Sequence, residues 1–172
     1  MVIYISGKIG GKSITEAVRR KFRKAEDFLK KRGFTVINPT DEVINKKIVI
    51  AAEAHLEVRQ KLSQYRGIEC RSDIYDCILM EDMGIISMCD AVYMLEDYKY
   101  SPGAMAEYEY AKATKKKILL QRESDAYLHI AWVFERKVMT GQPPREYFQN
   151  PRNIATFEFV HNHLSEYYLP IV

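Results

Sequence analysis

Cysteine is scarce in this chain. Its three copies, Cys70, Cys77 and Cys89, are odd in number and lack metal-ligand spacing. A disulfide framework and a zinc site are therefore not expected, and buried thiols in a reducing compartment are. No apolar run reaches the length of a membrane span, and the first residues enter a strand with no signal peptide before it, so a cytoplasmic protein that does not enter a membrane is expected. Charge of one sign is also lacking: 26 Lys and Arg face 23 Asp and Glu, a net charge of +3. That balance makes no case for polymeric nucleic acid or a membrane surface. Lys115, Lys116 and Lys117 close an expected helix, where cations suit the dipole. The four histidines do not pair as metal ligands, because His161 and His163 sit two apart on an expected helix and His55 and His129 have no partner at ligand spacing. No metal is expected. Trp132 and the tyrosines from 147 to 168 are not interleaved with basic residues in the way that nucleic-acid binding needs and read as core or a subunit contact, not as a base-stacking platform. Repeats and low-complexity segments are absent.

What is present alternates strand and helix signals across one domain of 172 residues. Val2-Ile-Tyr-Ile5 reads as a buried strand ending in the turn Ser6-Gly-Lys-Ile-Gly-Gly11. Ser13-Ile-Thr-Glu16 has the form of a capping box, and Ile14, Val18, Ala25, Phe28 and Leu29 recur at helical spacing until Gly33. Phe34–Ile37 is the next strand, closed by Asn38-Pro39. Residues 41–70 form a helical insertion, broken at Gly67. A helix from about Ser72 to Met88 carries Ile74, Ile78 and Ile85 as its stripe. Strands follow at Ala91–Leu95 and Ile118–Gln121, with a helix from Pro102 between them. Residues 122–172 read as a C-terminal helical extension: helix over 125–139, a turn at 141–144, and an aromatic-rich helix over 151–168. The fold class is three-layer α/β, flavodoxin- or Rossmann-like, with a mainly parallel sheet of four to five strands.

The segment Ser101-Pro-Gly-Ala-Met-Ala-Glu107 carries the sharpest signal. Ser101 is a good N-cap and Pro102 suits the first helical position. At 100° per residue Glu107 shares its face with Gly103, Ala104, Ala111 and Thr114, small neighbours that let another element approach. The carboxylate is thus expected in a crevice beyond the carboxyl end of a strand, where open α/β sheets bind ligands. The turn Gly7-Lys-Ile-Gly-Gly11-Lys12-Ser13 invites a phosphate-loop reading, with Glu96-Asp97 in the place of an acidic strand end. Only three residues separate Gly7 from Gly11 where that signature needs four, so a nucleotide kinase is disfavoured. Its backbone N–H groups could still hold an anion or a sugar.

Three segments resemble the nucleoside 2-deoxyribosyltransferases and the related 2′-deoxynucleoside 5′-monophosphate N-glycosidases: Tyr4-Ile-Ser-Gly-Lys-Ile-Gly-Gly11, Asp82-Met-Gly-Ile-Ile-Ser-Met-Cys-Asp90, and Ser101-x-Gly-x-x-x-Glu107. They lie in the family's order. The resemblance implies Glu107 as nucleophile, Asp82 as supporting acid and Tyr4 as the group that orients Glu107. It further implies substrate contacts from Ser6, Gly7, Ile9, Gly10, Gly11, Ser101 and Gly103. The implied substrate is a small-molecule nucleoside or nucleotide, with no cofactor and a homo-oligomeric assembly; a non-catalytic nucleotide-binding module is the alternative. Two points stay open. Helical periodicity places Glu81, not Asp82, at the centre of the 74–78–85 stripe. Ser101 reads either as a simple N-cap or as a ligand of a 5′-phosphate, the stretch Glu96–Tyr100 before it being slightly longer than in the glycosidases.

Overall fold

A computed structural model describes residues 1–10, 13–122 and Asp125. The expected helices at 125–139 and 151–168 and the turn at 141–144 lie outside them. Four parallel strands, β1 (Val2–Ser6), β2 (Thr35–Ile37), β3 (Ala91–Met94) and β4 (Lys117–Leu120), stand in the order β2-β1-β3-β4. The central strand β1 sets Tyr4 beside Ile37 on one side and Val92 on the other. A chain that leaves its first strand in one direction and then crosses to the other edge has a switch point beside that strand. The fold is a Rossmann-like three-layer α/β fold.

Alternation along the strands sorts the core into two faces. Ile3, Ile5, Tyr93 and Leu95 meet Phe22, Ala25 and Leu29 of α1 (Glu16–Lys30). Tyr4, Val92 and Met94 meet Ile86 of α3 (Ile74–Ser87) and Ala104 and Ala111 of α4 (Pro102–Ala113). The long helix α2 (Glu42–Arg66) lies against α3, with His55 on Glu81 and Arg59 on Ser72. Gly67, at φ 65°, gives α2 its left-handed C-cap, as expected of that glycine.

Two local expectations are corrected. The first helix is capped by Thr15, whose hydroxyl accepts from the Val18 amide, and not by a Ser13–Glu16 box. The helix begins at Glu16, which makes Val18 the third helical residue and Thr15 the residue placed to reach it. The box belongs to α3 instead, between Asp73 and Asp76. The buried positions of α3 are Cys77, Asp82 and Ile86, whereas Ile74 is exposed. With the sheet beneath it and α2 at its side, α3 has no single apolar face for periodicity to find.

Candidate active site

Tyr4 and Ser6 are two apart on β1 and project to the same face of the sheet. Glu107 approaches that face from α4 and Asp82 from α3. The Ser6 hydroxyl donates to Glu107 Oε2, and the Tyr4 hydroxyl donates to Oε1 across 3.5 Å. Glu107 and Asp82 are each 7% exposed, and Tyr4 and Ser6 are 1% exposed. The small residues Gly103, Ala104 and Ala111 are buried on the face of α4 that carries Glu107. Thr114, expected to share that face, is an exposed C-cap beyond it.

Two carboxyl groups with so little water between them do not ionise together readily. Burial, and then the neighbouring Asp82, raise Glu107 to about 8, while the Ser6 and Tyr4 hydroxyls pull it down. Burial raises Asp82 to about 7, with Tyr4 opposing. Tyr4 itself is held well above its usual range by burial and then by the charges of Glu107 and Asp82. The pair therefore keeps one proton between its members near neutrality. Two hydroxyl donors on Glu107 favour negative charge there. Glu107 is raised the higher of the two, and Asp82 Oδ1, buried without a hydrogen-bond partner, is the second place where that proton can sit. Such an arrangement offers a nucleophilic or charge-stabilising carboxylate beside a neutral acid. Glu81, the choice of periodicity, points instead to His55 of α2.

The glycine turn supplies the upper edge of β1. A side chain at Gly7 would come within 2.7 Å of Leu95 Cδ1, so glycine there allows β1 and β3 to leave the sheet together. Gly10 takes a φ of 69°. The Lys8 amide donates to Asp97 Oδ1 at 3.1 Å, and Lys21 bridges Asp97 to the Lys8 carbonyl. Asp97 is thus a structural tie for the turn. Ile9 is half-buried against the α1-side core. Gly11 lies outside the described residues. Ser101 caps α4 by accepting from the Ala104 amide at 3.3 Å.

Asp90, an acidic residue outside this group, accepts from the Val2 amide at 2.7 Å and clips the start of β1 to β3. All three cysteines are free thiols, Cys77 and Cys89 buried and Cys70 half-buried. No cluster of three His, Cys, Asp or Glu among the described residues has the geometry to hold a metal ion, and no helix among them is long and apolar enough to cross a membrane. Sequence reasoning missed Tyr75. Its hydroxyl sits over the Gly103 backbone, so close that a side chain at 103 would come within 2.7 Å of it. The signal available was indirect: a glycine one residue past the N1 proline of a helix marks a place that another group occupies.

Fold and site together define a Rossmann-like α/β protein with two carboxyl groups buried against its central strand. The chain belongs to the family described as a domain of unknown function, DUF4406, whose model matches residues 1–120. The matched stretch contains Tyr4, Ser6, Asp82, Ser101, Gly103 and Glu107. No curated protein and no solved structure matches the chain significantly.

Proposed function

We propose that this protein cleaves or transfers at the N-glycosidic bond of a (deoxy)nucleoside or nucleoside 5′-monophosphate. The observation that carries this reading is the buried meeting of Glu107, Asp82, Tyr4 and Ser6 on one face of the sheet. Loss of the base leaves an oxocarbenium-like sugar, and a carboxylate beside the anomeric carbon can capture it as a glycosyl ester. Glu107 is the nucleophile. Ser6 holds Oε2 firmly. The long Tyr4 contact leaves Oε1 the freer oxygen, and this is the one that attacks. Asp82 gives its proton to the departing base as the C–N bond breaks. Water then hydrolyses the ester, or a second base accepts the sugar. The resemblance of all three motif segments to nucleoside 2-deoxyribosyltransferases and N-glycosidases supports the same chemistry. The chain's own residues suffice for each step, with no cofactor assigned. Incubation with a panel of deoxynucleosides and their monophosphates should release free base, read by chromatography. Absence of any base release, together with tight nucleotide binding in a thermal-shift assay, would move the reading to a binding module.

The same reading places the protein in the cytoplasm as a homo-oligomer. Helix α2 supports the assembly: it buries only Ile48 and Ala52, while Val43, Ile50, Val58, Leu62 and Tyr65 are exposed. Light scattering on dilute protein is expected to give a mass above the 20.1 kDa of one chain. A fully active monomer would dismiss the assembly.

A further inference from the structure

The first four amides of a helix normally lack intrahelical partners, which makes a helix N-terminus a natural cradle for anions. In α4 that cradle is already filled. The Ser101 amide donates to the Tyr98 carbonyl at 3.0 Å. Pro102 has no N–H. The Ala104 amide donates to Ser101 Oγ at 3.3 Å. That leaves Gly103, and the Tyr75 hydroxyl lies over its backbone, in contact with the place where a side chain would stand. Tyr75 comes from the first turn of α3, so its hydroxyl joins α3 to the start of α4. The charges of Glu107 and Asp82 both reach its hydroxyl.

The surrounding charge agrees. Among the described residues, the groups acting on Asp82 and Glu107 are Tyr4, Ser6, Glu81 and each other, and no lysine or arginine is among them. Lys21, the cation that reaches the turn after β1, is bound to Asp97. A phosphate here would meet two carboxyl groups with no counter-charge among the described residues and no unoccupied amide on α4. Yet one polar point of the pair is unsatisfied, because Asp82 Oδ1 is buried without a partner.

We propose that Tyr75 is a specificity-determining residue that closes the α4 N-terminus against anions, so that the site takes the uncharged 5′ end of a nucleoside in preference to a 5′-phosphate. Gly103 lies about one helical turn, ~6 Å along the axis, from Glu107. A pentose with its exocyclic carbon and oxygen covers most of that length, so an anomeric carbon at Glu107 can direct the 5′ group toward Tyr75. Half-exposed on the surface, Tyr75 can be replaced without opening the core. Phenylalanine removes the hydroxyl over Gly103 but keeps the ring beside the cradle. Alanine clears it and frees the Gly103 amide.

This assignment rests on the nucleoside reading above, and two measurements separate the fates of the two. The first compares base release from a deoxynucleoside and its 5′-monophosphate by the native protein, Tyr75→Phe and Tyr75→Ala. The native protein is expected to prefer the nucleoside in kcat/KM by at least about tenfold, Tyr75→Ala to shift the ratio toward the monophosphate by a similar factor, and Tyr75→Phe to fall between the two. A native preference for the monophosphate, or a ratio unmoved in Tyr75→Ala, overturns the assignment. The second measurement needs no turnover: calorimetric titration with inorganic phosphate and with deoxyribose 5-phosphate. Tyr75→Ala should bind both at least about tenfold more tightly than the native protein, and equal binding overturns the assignment. Silence of every variant in the first assay with the expected result in the second would remove the nucleoside reading and leave Tyr75 as the anion gate.

Discussion

Glu107→Gln is expected to lower base release by a factor on the order of 10³ or more while leaving the fold intact. The amide keeps an oxygen to accept from Ser6 or Tyr4, and it removes the burial penalty that a charge carries at that position. It cannot form a glycosyl ester. Melting temperature and the rate of base release, measured on the same preparation, make the check: a stable, inactive protein is the expected result. A variant that retains full activity would show that the sugar is captured elsewhere. A second signature accompanies the loss. Native protein mixed with a slow substrate and quenched in acid should gain the mass of one deoxyribosyl group, and the variant should gain none.

The carboxyl pair should also set the pH dependence of stability. Asp82 rises from 3.8 to about 7 and Glu107 from 4.5 to about 8, so between about pH 4 and pH 8 the folded protein binds more protons than the unfolded chain. Stability therefore falls as pH rises through that window and levels off above it. A tenfold change in proton affinity corresponds to about 1.4 kcal/mol, and the pair titrates jointly, so a loss of a few kcal/mol is expected between pH 5 and pH 9. Asp125, raised by burial, adds a slope of the same sign. Asp82→Asn isolates the pair: it removes one titrating group and the repulsion that lifts Glu107. Urea midpoints at pH 5 and pH 9 should lie closer together in this variant than in the native protein, with the variant the more stable of the two at pH 9. An unchanged difference between the two midpoints would mean that the two groups do not share a proton. Activity should follow a bell around neutrality, because only the singly protonated pair contains the working form, with Glu107 ionised and the proton moved to Asp82.

The legibility of this site from sequence divides by the kind of order each residue obeys. Glu107 could be placed on a buried face because α4 packs by one face, and Gly103, Ala104 and Ala111 mark that face at helical spacing. Ser101 and Pro102 declare the start of α4 through local cap chemistry, and the cap is what the structure shows. The parallel direction of the strands follows from the alternation of strands and helices, whereas their order around β1 is a finding of the structure. Asp82 was not legible from periodicity, because α3 is held on two sides and its hydrophobic pattern has no single direction. Only the motif resemblance singled it out. Ser6 follows Tyr4 at a strand's period of two, so its place beside Glu107 was available from the pleat. Tyr75 depends on a contact between two elements far apart in sequence, and no local rule encodes it. The stripe 74–78–85 misled for the same reason: a helix in a corner buries a wedge, not a line.

The central place of β1 carries a consequence for assembly of the molecule. One flank of the strand closes locally, through α1 to β2, while the other waits for β3, and the contact between Tyr4 and Glu107 joins residues 103 apart. Local closures come early and distant ones late, since each long loop must lose its freedom before any contact rewards it. A β1–α1–β2 unit can therefore exist before the crevice does, with the naked edge of β1 turned outward. Such an edge is a template for a foreign strand. Refolding of this protein is in this sense a race between β3 and a neighbouring molecule, and dilution is what lets β3 win.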